Sequence, residues 1–321
     1  MLKLLVMLLS ILFNPITLIV VGWLLISFLV DLIIYLQSTY YRETKASYFS
    51  SQNDLGRYGE YLTYRKLKSY EKQGAKFLFN TYLPHKNETT EIDVIMIAPQ
   101  GIFVFESKNY SGWIFGHEKD KIWYQTLPAG RKSHKEKFYN PIMQNDTHIN
   151  CLKALVDKNI PIYSIIVFSE RCTLKKVTTT NKEIKVVNRK DIKTAISSLT
   201  ETPVLSPEEI TEIYNKLHPY TQVDKSVKLR HIENINKLIE NENSVAEKQH
   251  LCSKCGGKMI LRTAKKGKYT GMSFYGCENY PKCTNTETTT DKLTGIIKYD
   301  YNDKATRNEQ LEKLQNKTNE I

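Results

Sequence analysis

Cysteine is scarce in this chain, and long apolar runs are almost absent. Six cysteines among 321 residues are too few for a disulfide scaffold, and four of them crowd between 252 and 283. That crowding points to metal and to a reducing compartment, because zinc binds thiolates rather than disulfides. Only one stretch is apolar enough to cross a bilayer, which excludes a multi-span transporter. Acid is also short: 34 Asp and Glu face 46 Lys and Arg, a formal charge of +12. With 41% hydrophobic and 25% charged residues the chain is foldable and basic, not a disordered polyampholyte or a collagen-like fibre. The positive excess favours an anionic partner, nucleic acid or acidic lipid, without choosing between them. No internal repeat is evident, and the length suggests about two domains.

The apolar stretch runs without charge from Leu4 to Val30 and resumes past Asp31 to Leu36. It exceeds the ~20 residues that a spanning helix needs. Pro15 after Asn14 predicts a kink or a helix start near Ile16. A cleaved signal peptide has a shorter core and a small-residue cleavage site, and neither is visible. The expectation is one retained, single-pass anchor in the cell membrane. Arg42, Lys45 and Arg57 follow the span, which tilts the soluble part towards the cytoplasm. A hairpin returning near Pro15 stays open.

Beyond the anchor (1–37), polar residues 38–53 read as a juxtamembrane linker. Leu55, Tyr58, Leu62 and Leu67 keep helical spacing until Gly74. Strands are expected at Lys76–Tyr82, Glu91–Ala98 and Ile102–Lys108, then a basic, turn-rich segment from Lys119 to Lys137. A helix follows from Pro141 to Lys158, then buried strands at Tyr163–Phe168 and Ile184–Val187, and a helix from Asp191 to Leu199. This order fits a mixed-sheet α/β core over 54–200. A helical extension (201–241) starts at a Ser206/Glu209 capping box and continues from Asp224 to about Glu240. A linker (242–250), a cysteine module (251–301) and a charged tail (302–321) complete the chain.

The segment richest in chemistry is Glu91-Ile92-Asp93-Val94-Ile95-Met96-Ile97, a turn at Gly101, and Phe103-Val104-Phe105-Glu106-Ser107-Lys108. Reversal at the turn sets Asp93 opposite Glu106, and alternation puts Glu106 and Lys108 on one face. Two neighbouring carboxylates repel, and a divalent cation relieves the repulsion. Mg²⁺ suits such a site, since it takes one or two carboxylates and completes its octahedron with water and phosphate. The ion polarises a phosphoryl oxygen and activates a bound water. Lys108 could position that nucleophile or meet the charge of the transition state. A surface hairpin with solvated ends is the bland alternative.

The pattern resembles the nuclease-related domain, NERD, a branch of the PD-(D/E)xK restriction-endonuclease-like superfamily. The matching residues are Gly56, Gly59 and Glu60, then Glu91-Ile92-Asp93, Gly101 through Lys108, Tyr110, Gly112 and Gly116, and Asn140-Pro141 with Gln144. The resemblance covers about residues 50–165. It implies a restriction-endonuclease-like mixed-sheet α/β core and a metal-dependent phosphodiesterase site at Asp93, Glu106 and Lys108, served by Mg²⁺ or Mn²⁺. It offers Glu60 as a third carboxylate, against an exposed helix-face glutamate. Gln144 either orients a ligand or caps backbone. Ile92-Asp93 stands where the superfamily has Pro-Asp.

Cys252, Cys255, Cys277 and Cys283 read C-x2-C-x21-C-x5-C. Two thiolate pairs on two turns fill a tetrahedral Zn²⁺ shell with no open position, so the zinc is structural. A segment this small has too little core to fold without it. Cys151 and Cys172 read as ordinary thiols, and His117 and His134 as neither ligands nor bases. The module is similar to the four-cysteine zinc ribbon at the C-terminus of type IA topoisomerases, with Ser253 in place of the usual proline. That likeness implies DNA binding, of single strands above all. Arg262, Lys265, Lys266 and Lys268 suit phosphates, while Tyr269 and Tyr275 offer stacking faces. Phe274 is expected to pack inside. The basic Lys119–Lys137 segment is either a phosphate-tracking wall or a solvated loop.

These readings combine into a membrane-anchored, divalent-metal-dependent DNA nuclease with a DNA-binding zinc ribbon and no small-molecule cofactor. The rival is a non-catalytic, membrane-tethered DNA-binding or sensing protein with a vestigial nuclease fold. A third has the basic surface serving acidic lipids. Oligomeric state, DNA against RNA, and endo- against exo-action are left open.

Overall fold

The computed structural model describes residues 14–86, 88–129, 132–199, 202–248, 251–264, 273–288 and 297–298. The charged tail lies outside them. Helix α1 (Pro15–Leu36) starts at Pro15, next to the expected start near Ile16, its first turn capped by the Asn14 side chain, which accepts the Ile16 amide. It is long and apolar enough to cross a membrane, and its large apolar side chains are exposed.

The expected linker is instead two short helices, α2 (Thr39–Thr44) and α3 (Tyr48–Asn53), each capped by a serine, Ser38 or Ser47. Composition misled because tyrosine counts as polar while its ring packs as an apolar body. Tyr35 and Tyr40 are fully buried against Tyr61 and Tyr64 of helix α4 (Leu55–Leu67). Asp54 caps α4 through the amides of Gly56 and Arg57. A 3-10 turn prolongs it to Gln73, and Gly74, at φ 87°, ends it as expected.

The main sheet has five strands in the order β1 (Lys76–His85), β2 (Glu88–Ala98), β3 (Gly101–Lys108), β7 (Ile162–Phe168), β9 (Ile184–Asn188). Its first three strands pair antiparallel, and β3, β7 and β9 run parallel. Phe77, Val94, Met96, Phe103 and Phe105 pack on one face against α4 and α6 (Ile192–Ser197). Leu78, Ile95, Ile97, Ile102 and Val104 pack on the other, against α5 (Pro141–Lys153) and α7 (Pro207–Leu217). The Ser206/Glu209 capping box forms as expected. Helix α8 (Lys225–Lys248) runs through the expected linker, with neither Gly nor Pro to stop it.

The basic segment after the main hairpin is no loop. It contributes β5 (Ile122–Ala129) and β6 (Lys132–Tyr139) to a second sheet with β4 (Gly112–His117) and β8 (Cys172–Thr178), in the order β6-β5-β4-β8. Its lysines mask a buried face on which Ile114, Trp123 and Phe138 pack against Phe168. Lys135 lies over the Tyr124 ring at 3.9 Å. Gly116 carries this packing: a Cβ there would lie 2.1 Å from the Trp123 ring. Gly116→Ala should therefore destabilise the core by about 1–3 kcal/mol, read as a lower urea midpoint, because the indole has no room to retreat.

Candidate active site and zinc ribbon

Asn80, at the middle of β1, has φ 48°, a left-handed conformation that asparagine tolerates better than most residues. The register places it across from Asp93, between the Phe79–Val94 and Thr81–Ile92 pairs. The kink breaks the alternation of both strands: Leu78 and Leu83 share one face, as do Ile92 and Ile95. The β2–β3 ladder accordingly stops at Val94–Phe105. Beyond it, the Asp93 carboxylate takes the place of a backbone carbonyl and accepts the Ser107 amide at 2.8 Å.

Glu106 and Lys108 share a face, as their spacing predicts. Lys108 Nζ lies 2.7 Å from Glu106 Oε1, and each residue is only 1% exposed. Gln144 of α5 accepts from Lys108 Nζ at 3.2 Å, so it orients the ammonium rather than capping backbone. One turn along α5, His148 Nε2 lies 3.1 Å from Glu106 Oε2, and its Nδ1 bonds the Thr90 hydroxyl at 2.7 Å. Sequence reasoning missed His148, although its position four residues after Gln144 on the same helix face was a usable signal. Thr90 and Asn80 gave none.

Glu60 is buried on α4, not exposed on a helix face. Tyr40 and Asn80 donate to its Oε2 at 3.2 and 3.0 Å. Gly59 allows the approach of α4, since a Cβ there would meet Asn109 Cβ at 3.0 Å and Ser107 Oγ at 3.2 Å. Burial, then the Glu91 charge, push the Glu60 carboxyl up to about 8. Burial, then Glu106 and Glu60, hold Asp93 well above the usual carboxylate range. Burial acts on Glu106 in the same direction, but the Lys108 ammonium and the His148 bond win and hold it below that range. Nearby, Glu91 accepts from Tyr82 at 2.7 Å and faces His231 of α8 at 3.9 Å. The fold thus brings Glu60, Asp93, Glu106, Lys108 and Gln144 into one electrostatic unit in which carboxyl groups outnumber the cation.

A second site lies in the ribbon, whose sheet is β10 (Met259–Thr263), β11 (Ser273–Cys277) and β12 (Thr286–Thr288). The Sγ atoms of Cys252, Cys255, Cys277 and Cys283 all lie within 4.8 Å of one another. Cys252–Cys283 and Cys255–Cys277 are 3.7 and 3.4 Å apart. A zinc tetrahedron with bonds of ~2.3 Å has edges of about 3.8 Å, so the donor set fits. The Asn279 amide and the Gly257 N–H pull the Cys255 thiol down to about 6, while burial and the adjoining thiols push Cys277 up to about 12. Four thiolates this close need a dication to coexist. The Arg262 guanidinium bonds the Cys277 carbonyl at 3.3 Å, and Tyr275 packs half-buried against the cysteines, with Phe274 also half-buried. Lys265, Lys266, Lys268 and Tyr269 lie outside the described residues. His117 accepts the Lys119 amide, Cys172 is buried, and Cys151 lies 3.3 Å from His85.

Two outcomes follow from these geometries. The protein should contain one zinc per chain by elemental analysis, and Cys277→Ser should lose it along with the ribbon's protection from hydrogen exchange, leaving the α/β core protected. The metal-free protein should also lose stability with rising pH. A carboxyl raised from 4.5 to about 8 stabilises the fold fully below its ordinary value, and that contribution disappears as pH climbs through about 8. Glu60→Gln should flatten the slope of urea-unfolding free energy between pH 5 and 8, by up to about 4 kcal/mol.

Comparison with known proteins finds a family match over each of the two segments that hold these residues. The family model described as nuclease-related domain matches residues 55–169, and the topoisomerase DNA binding C4 zinc finger matches 249–292. An uncharacterized protein of Bacillus anthracis is 35% identical over 179 residues, covering 56% of this chain and 82% of that protein. DNA topoisomerase 1 of Methanocaldococcus jannaschii is 56% identical over 43 residues, 13% of this chain and 5% of the topoisomerase. No solved structure matches. The chain belongs to the nuclease-related domain family and carries a topoisomerase-type four-cysteine zinc ribbon at its C-terminal side.

Proposed function

We propose that this protein is a membrane-anchored, divalent-metal-dependent DNA nuclease that hydrolyses phosphodiester bonds. The observation that carries the reading is the buried Glu106–Lys108 pair beside Asp93 and Glu60. A purely structural ion pair needs no further buried acids, which repel one another and stay short of positive charge. The Ser107 amide engages Asp93 Oδ2, and Oδ1 would be the oxygen offered to a cation. Asp93 and Glu106 would hold Mg²⁺ or Mn²⁺, with Glu60 as a third carboxylate. The bound ion would polarise the phosphoryl oxygen and acidify a water.

The chain's own groups do the positioning. His148 and Lys108 each hold one oxygen of Glu106, which fixes the plane of that carboxylate. Gln144 and Glu106 direct Lys108 Nζ, which would position the attacking water or meet the developing phosphorane charge. The ribbon, by its likeness to a topoisomerase zinc finger, would bind DNA, single strands included, and raise its concentration at the site. Arg42, Lys45 and Arg57 beyond α1, together with reduced thiols in the ribbon, support a single pass through the cell membrane with the soluble domains in the cytoplasm.

Incubation of the full chain with single- and double-stranded DNA tests the proposal. Cleavage should require Mg²⁺ or Mn²⁺ and stop with EDTA, and Lys108→Ala or Asp93→Asn should cut the rate at least about a hundredfold. His148→Ala should cost about 10–100-fold, as loss of a group supporting a metal ligand does. Cleavage that survives Lys108→Ala would refute the assignment, and DNA binding without cleavage would select the non-catalytic tether.

A further inference from the structure

Helix α1 is two things along its length. In its last turn Tyr35 is fully buried, its ring against Tyr40, Tyr41, Tyr48 and Tyr61. The Tyr35 hydroxyl donates to the Ala46 carbonyl at 2.8 Å and pairs with Ser51 Oγ at 2.6 Å. One turn earlier, Asp31 faces Arg65 of α4 at 3.8 Å. Charges are expensive in hydrocarbon, so residues from Asp31 onward belong to the soluble domain and the bilayer boundary falls near Val30. From Pro15 to Val30 the helix rises about 24 Å. That is short of a hydrocarbon core of about 30 Å. The sequence stays uncharged back to Leu4.

At the level of that boundary, the soluble domain touches the side of the anchor. The Phe28 ring lies 5.8 Å from Tyr48, edge-on, and 6.1 Å from Phe49, which themselves lie 5.6 Å apart. Tyr48 turns inward to Tyr35, whereas Phe49 is 63% exposed. Leu55, two residues past α3, is 57% exposed. A large ring standing in water beside an apolar membrane helix gains nothing there. Continuous with the lipid-facing side of that helix, it gains an acyl-chain environment, while Tyr48 suits the headgroup layer.

We infer that α3 and the start of α4 form a foot, built on Phe49, Tyr48 and Leu55, that seats the nuclease-related domain in the interfacial layer of the bilayer. The inference rests on the membrane-anchor reading and is independent of catalysis. The foot ties the domain to the membrane at a second place, so the domain does not swing on a tether. Tyr40, in the same aromatic cluster, donates to Glu60, so the acid cluster is held at a set height above the lipid.

Photo-crosslinking of the full chain in nanodiscs of phosphatidylcholine and phosphatidylglycerol tests this. p-Benzoylphenylalanine replaces Leu25 in the span, Phe49 in the foot, or Lys182 in the exposed turn between β8 and β9. Lipid adducts by mass spectrometry are expected at 25 and 49, with their loss at 182. Adducts at 25 and none at 49, or a chain-to-chain crosslink at 49, would overturn the foot and leave the anchor standing. Equal labelling at 49 and 182 would overturn it as unspecific contact. Failure at 25 would remove the anchor and the foot together.

Discussion

A lysine ammonium that is almost wholly removed from water must be answered by charge and hydrogen bonds, and the centre of this protein is arranged around that requirement. Lys108 lies between Glu106 and Gln144, and Glu106 in turn between Lys108 and His148, which Thr90 orients. These groups come from β2, β3 and α5, so the chain of bonds also fixes how the helix sits on the sheet. Removing one partner of a buried pair typically costs about 3–5 kcal/mol, because the other is stranded. Such a pair is a poor way to gain stability, since apolar residues of like volume would serve as well or better. Its value lies in geometry, and three further carboxyls around it raise the cost.

Backbone irregularity is what admits those acids. A regular β1–β2 hairpin would continue the ladder through Asn80 and Asp93 and keep Asp93 in the alternation. The left-handed turn at Asn80 interrupts it, frees the Asp93 carboxylate to cap Ser107, and sends the Asn80 amide to Glu60. One strained residue thus serves two acids. The same region is close-packed where α4 crosses the sheet, since a Cβ at Gly59 would crowd Asn109 and Ser107.

Tyrosine joins the two ends of the molecule's architecture. Its rings build the contact between helix α1 and the domain, and its hydroxyls satisfy Ser51, Ala46 and Glu60. The ribbon follows a different logic. It has a core of three buried cysteines, Met259 and part of Tyr275, and depends on metal where the main domain depends on apolar burial.

Local chemistry in the chain announced a good deal of this. The Ser206 cap, the Gly74 stop, the strand runs up to Phe168 and through Val187, and the thiol spacing all act over a few residues, and each formed where the pattern put it. The Glu106–Lys108 pair was readable for the same reason, as two residues on one face of a strand. The second sheet and helices α2 and α3 were not, because lysine and tyrosine hide apolar faces from any count of polarity. Nor could spacing decide whether Glu60 and Gln144 face the acids, or find His148 and Asn80. Those contacts span 20 to 42 positions of sequence and arise only when helices pack on the sheet. Periodicity reports which face of an element is apolar; which polar groups meet across elements is settled by packing alone.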